Sequence, residues 1–217
     1  LAKEQSACAI IDERIAIDCP DAKTYLNGGA DLKKLKTLCV THFHADHDFG
    51  VPSLMLARGN KPIDIIAPKG CEKRYREMAK LSNFPIKSEL HPMLYAKNNA
   101  RFITSDNDNI QSYKMNHANL DAYGYTISDK HDITAGFTGD TTRCKNVDEI
   151  IKKSDIAFMD CTGDGKVHMG IEEFFDLRET YRGKGKLLVP THLTKSSREL
   201  LDLYGVETPY DGKEYQL

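Results

Sequence analysis

Short apolar runs alternating with amphipathic stretches predict a layered α/β sandwich for this chain of 217 residues. Three observations carry that fold class. Brief, largely apolar runs, such as 63–67, 155–159 and 186–190, have strand character and stop at proline or polar residues. Several are followed by stretches with apolar residues at helical spacing, as in 69–81 and 170–181. A strand-rich middle, 101–137, separates two mixed halves without a linker or low-complexity segment, so one domain over 1–217 is expected.

The elements follow in order. Two strands, 7–12 and 15–18, are joined through Glu13-Arg14, and 31–37 reads as a helix with Leu32 and Leu35 on one side. The run 38–41 is a short buried strand. The next helix, 51–58, carries Pro52 in its first turn, where proline is tolerated. A strand at 63–67 precedes a helix at 69–81 with Tyr75, Met78 and Leu81 on one face. The segment 83–99 reads as a flap or a dimer surface. Strands are expected at 101–104, 110–116, 122–128 and 131–137. Helix 147–153, strand 155–159, helix 170–181, strand 186–190, helix 196–204 and a terminal strand near 214–217 complete the series. The first residues already read as a strand inside a sheet, so a preceding strand is expected to be missing.

Hydrophobic residues make up 40% and charged residues 29% of the chain, a globular rather than a disordered composition. A net charge of −2 provides no overall attraction to nucleic acid or anionic lipid. No apolar run approaches the ~20 residues of a membrane span. Six scattered cysteines without a Cys-x-x-Cys pair favour a reducing, cytoplasmic setting.

The chemistry concentrates in Thr41-His42-Phe43-His44-Ala45-Asp46-His47, where three of eight histidines and a carboxylate follow the strand 38–41. Side chains two apart on an extended chain share a face, so His42 and His44 point together. His47 can join Asp46 only if the chain turns, which would split the four groups into two converging pairs. Imidazole and carboxylate are ligands for zinc and related divalent ions. Three further ligand-type residues each follow an apolar strand: His117, Asp140 in a Thr-Gly-Asp-Thr turn, and His192 after Leu187-Leu188-Val189-Pro190-Thr191.

The set His-x-His-x-Asp-His at 42–47, His117, Gly139-Asp140-Thr141 and Thr191-His192 resembles, in order, the motifs of the metallo-β-lactamase superfamily. The likeness runs from Ile17-Asp18-Cys19 to Asp211-Gly212. It implies a four-layer αβ/βα sandwich and two divalent metal ions, zinc first, with manganese or iron as alternatives. It also implies that His42, His44 and His117 hold one metal, that Asp46, His47 and His192 hold the other, and that Asp140 bridges both. Asp18 would orient a metal-binding histidine, and Asp46 would aim a metal-bridging hydroxide at the substrate.

Later elements resemble the ribonuclease Z and phosphodiesterase branch. There an acidic residue before a threonine is paired with a histidine that opens a helix. The matching residues are Asp160, where the branch usually has Glu, and His168, a candidate proton donor to the leaving oxygen. Bacterial ribonuclease Z carries a long tRNA-binding arm between the positions matching His117 and Asp140, whereas 22 residues separate them here. The basic stretches at 33–34, 69–80 and 182–186 read as solvated faces. The expected activity is therefore hydrolysis of a small phosphodiester, with RNA less favoured. Lactone or thioester hydrolysis, and a non-catalytic metal-binding sensor or scaffold, are the alternatives. A homodimer is the family habit, and no membrane partner is expected.

Overall fold

A computed structural model describes residues 8–59, 61–83, 91–163, 165–210 and 212–216. The described residues cluster into two compact units that divide between Ala96 and Lys97. The expected preceding strand lies outside the described residues.

The first unit is built on a five-stranded sheet in sequence order: β1 (Ala9–Ile11), β2 (Ile15–Ile17), β3 (Thr37–Cys39), β4 (Asp64–Ala67) and β5 (Met93–Tyr95). The pair β1–β2 is antiparallel; β2 through β5 run parallel. The unit's helices are α1 (Ala22–Asn27), α2 (Ala45–Asp48), α3 (Val51–Ala57) and α4 (Cys71–Leu81). Its core joins Ala16, Leu38 and Ile65 from the sheet, and Val40 just after β3, to Leu54, Met55, Cys71 and Tyr75 from the helices. Such near-continuous apolar strands are what a parallel sheet buried in its unit requires.

The second unit holds a six-stranded sheet. Its strands are β6 (Arg101–Ile103), β7 (Asn109–Lys114), β8 (Tyr123–Ser128), β9 (Thr134–Phe137), β10 (Ile156–Asp160) and β11 (Leu187–Thr191), ordered β11-β10-β9-β8-β7-β6. The run β6 to β9 is antiparallel, whereas β9, β10 and β11 are parallel. Helices α5 (Lys145–Lys153), α6 (Ile171–Thr180) and α7 (Lys195–Leu203) complete it, and Val147, Ile150, Phe174, Leu177 and Leu201 pack with Met159 and Tyr113.

Several expectations need correction. Residues 31–37 do not form a helix: 32–34 make a turn, and Thr37 already opens β3. Leu32 and Leu35 are buried as expected, but the N–H groups of Lys36 and Thr37 go to the Arg14 carbonyl, a non-local pairing that ends the local turn. Helix α1 was not expected, although Asp21 caps it by accepting from the Lys23 N–H. Part of 83–99 is the edge strand β5 rather than a flap; residues 84–90 lie outside the described set. Residues 131–133 precede β9 as a turn tied to Asp129, and 213–216 carry no strand.

In each unit the parallel strands bring candidate residues to their C-terminal ends, the edge at which α/β sheets carry their sites. Asp18 follows β2 and Thr41-His42 follow β3, with Ile17 in register with Cys39. In the second unit Asp160 pairs with Thr191, which places Asp160 and His192 side by side, and Asp140 follows the neighbouring β9.

Candidate metal centre

In the first unit, the chain leaves β3 extended and turns at His44, which stands at the N-terminus of the one-turn helix α2. The extended path therefore stops two residues before Asp46, and Asp46 and His47 are helical. The His42 ring packs against both other imidazoles, at 4.6 Å from His44 and 4.1 Å from His47 between centroids. His42 and His47 are buried, and Asp46 is 45% exposed.

Asp18 organises this turn. One carboxylate oxygen accepts the Thr41 N–H at 2.7 Å; the other accepts the Thr41 hydroxyl at 2.8 Å and faces His47 Nδ1 at 2.7 Å. The carboxylate only accepts, so His47 carries its proton on Nδ1. The Thr41 hydroxyl spends its proton on Asp18, so it accepts from His42 Nδ1, 3.0 Å away. Both rings then present an Nε2 lone pair. Burial raises the Asp18 pKa, an effect only partly offset by His47 and the Thr41 donors. Asp18 holds a left-handed φ of +53°, which aspartate tolerates better than most residues. Close packing fixes the turn: a Cβ on Gly50 would lie 2.6 Å from Asp21 Cα.

In the second unit, Asp140, Asp160, His168 and His192 each offer a ligand atom within 4.8 Å of the others. His117 Nε2 lies 3.9 Å from Asp140, while His117 Nδ1 donates to the Val167 carbonyl at 2.9 Å. Gly139, with φ of +58°, makes the bend that presents Asp140. Asp160 is the organising carboxylate. It accepts N–H groups from Thr141 at 2.9 Å and Thr162 at 3.2 Å, the Thr162 hydroxyl at 2.8 Å, and His168 Nδ1 at 2.9 Å. Thr162 Oγ1 also meets His192 Nδ1 at 2.8 Å. Its proton goes to the charged acceptor, so it accepts from His192 and leaves Nε2 as that ring's lone pair.

Burial alone would push the Asp160 carboxyl up, but bonds from the histidines and the Thr141 N–H hold it at about 2. Donating that hydrogen bond to Asp160 raises the His168 pKa above the ordinary histidine value. The shorter Asp in place of Glu thus still reaches its histidine. Sequence reasoning missed Thr41 and Thr162 as bridges; a threonine beside each organising strand end was the available signal.

The donor set fits divalent metal. It contains imidazole and carboxylate groups, and His42, His47, His117 and His192 all direct Nδ1 to a protein acceptor, the tautomer that frees Nε2 for coordination.

A family model described as "Beta-lactamase superfamily domain" matches residues 14–193. The chain belongs to the beta-lactamase superfamily. Curated proteins similar to part of this chain include ribonuclease Z enzymes. The ribonuclease Z of Agathobacter rectalis is 32% identical over 125 residues, 54% of this chain and 39% of that protein. That of Staphylococcus epidermidis is 31% identical over 102 residues, 44% and 32% respectively. The matches thus span well under half the length of these relatives. Superfamily folds superpose over nearly the whole chain. Human tRNase Z, short form, has a TM-score of 0.70 at 15% identity, covering 97% of this chain and 93% of that one. A diphosphatase from the PhnP family has a TM-score of 0.72 at 18% identity, covering 96% and 83%. Zinc-bound PqqB from Methylobacterium extorquens has a TM-score of 0.68 at 10% identity, covering 97% and 86%. The expected metallo-β-lactamase fold is therefore shown, with one sheet and its helices in each unit. No helix among the described residues is long and apolar enough to cross a membrane.

Proposed function

We propose that this superfamily member is a binuclear metal-dependent phosphodiesterase, a single hydrolase domain over 1–217. The observation that carries the reading is the Asp160–His168 pair, 2.9 Å apart, a hydrogen bond that raises the His168 pKa above the ordinary histidine value. His42, His44 and His117 would hold one ion and Asp46, His47 and His192 the other, with Asp140 shared. Zinc is the first choice for this donor set, with manganese or iron as alternatives. Bound divalent cations would supply Lewis-acid polarisation and acidification of water.

The remaining chemistry lies with the chain. His168 keeps its Nδ1 proton toward Asp160, so its Nε2 proton is the one available to a leaving alkoxide. Asp160 stabilises the imidazolium until that transfer and the neutral ring's orientation after it. His168 is 15% exposed, enough to be reprotonated from solvent. Asp46, partly exposed, accepts a hydrogen bond from the attacking water and aims it.

The 22 residues between His117 and Asp140 contain β8, β9 and their turns, with no inserted arm there. This supports a small phosphodiester over tRNA. The full chain, loaded with zinc or manganese, should hydrolyse chromogenic phosphodiesters faster than lactones, thioesters or a tRNA precursor. Activity confined to acyl substrates would overturn the phosphodiesterase reading, and preference for the tRNA precursor would overturn the small substrate. Two bound metals with turnover on none would favour a sensor or scaffold.

A further inference from the structure

Outside the ligands themselves, one partly buried charge pair grips the His42–His47 turn from both sides. Asp48 ends α2 immediately after His47, and its side chain is fully buried. Arg74, from the first turn of α4, meets it with a two-pronged guanidinium: Nε donates to Oδ2 at 2.5 Å and Nη2 to Oδ1 at 2.8 Å. Nη2 also donates to the Phe43 carbonyl at 3.1 Å, between His42 and His44. The guanidinium lies 5.0 Å from the Phe43 ring centroid, and Tyr75, the next residue of α4, meets that ring edge-on at 6.2 Å.

An ion pair with a buried carboxylate is weak evidence for stability by itself, because desolvation offsets the attraction. This pair is distinguished by where its bonds go. Its donors reach a carbonyl before His44 and a carboxylate after His47, so one α4 residue fixes both flanks of the segment bearing His44, Asp46 and His47. Groups that orient ligands in this indirect way typically change metal affinity by about tenfold to hundredfold when removed.

We propose that Arg74 and Asp48 are positioning residues that set how tightly this turn holds metal. The inference rests on the reading that His42, His44, Asp46 and His47 are ligands, and its test reads metal rather than turnover. Zinc affinity of the full chain is measured by competition with a chromophoric chelator, and the melting temperature of the metal-free protein is measured in parallel. R74M and D48N should each raise the zinc dissociation constant about tenfold to hundredfold, and the double variant should lose no more than the worse single one. R74K keeps the charge but not the planar fork, so it should recover only part of the affinity. It also provides a folded test should the other variants fail to fold.

A dissociation constant within twofold of wild type in any folded variant, even with a lowered melting temperature, would reduce the pair to a structural role and overturn the proposal. Absence of zinc binding by the wild-type chain would instead overturn the metal reading on which the proposal stands.

Discussion

Asp18 and Asp160 sit in different units yet organise their surroundings by the same device. Each is a buried carboxylate at the C-terminal end of a parallel strand. Each takes one histidine directly, His47 or His168, and reaches a second, His42 or His192, through a threonine hydroxyl. They differ in supporting donors and exposure. Asp18 accepts one backbone N–H and burial raises its pKa, whereas Asp160 accepts two and is held at about 2. His47 is sealed from solvent, while His168 is 15% exposed. A sealed imidazole is suited to fixed coordination. An accessible, charge-supported one can take up and deliver a proton. On the proposed reading, the same local chemistry serves metal holding in one unit and, through His168, proton donation in the other.

Substitutions at the two hubs test that division. The largest effect is expected from H168A, which should lower kcat on a phosphodiester about 10²- to 10⁴-fold with bound metal unchanged, as judged by steady-state kinetics and metal analysis. Loss of metal in parallel with rate would make His168 a ligand instead. D18N should act on the other quantity, raising the zinc dissociation constant about tenfold to hundredfold while kcat at saturating metal changes less. If D18N and H168A give the same pattern, the two hubs do not divide their work. T41V and T162V should cost least, about 1 kcal/mol each in urea denaturation, because a hydroxyl bridge is lost but the directly bonded histidine is kept.

The pH response sharpens the same contrast. The His168 pKa is raised by the Asp160 hydrogen bond. In the metal-free protein its contribution to stability is therefore complete below about pH 6.5, the unfolded value, and is lost as pH rises through the raised folded value. Histidine NMR titration should place His168 above that value in wild type and return it toward it in D160N. A wild-type titration at or below the ordinary value would remove the charge support on which the proton-donor role depends.

Much of this was legible in the chain because the informative residues are local. The crowding of His42 to His47, and ligand-type residues after apolar strands at His117, Asp140 and His192, can be read from neighbours alone. The likeness implied that Asp18 orients a metal-binding histidine and that Asp160 is matched with His168; the distances identify His47 as the first partner and give the second pair. The threonine bridges were not legible, because they depend on which way a hydroxyl rotates once two strands are in register. Arg74 and Asp48 lie 26 residues apart and meet only through tertiary packing. The turn at 32–34 was mistaken for a helix because two buried leucines three apart satisfy either geometry until strand pairing at Thr37 decides.

The backbone at the two hubs also leaves them unequally open to sequence drift. Asp18 sits at a positive φ, where a longer, unbranched carboxylate finds little favour, so the conformation and the short reach to Thr41 both select the same residue. Asp160 ends a regular strand, whose extended backbone admits Asp and Glu alike. The backbone therefore admits a change of length in the acidic residue paired with His168, while it pins the one paired with His47.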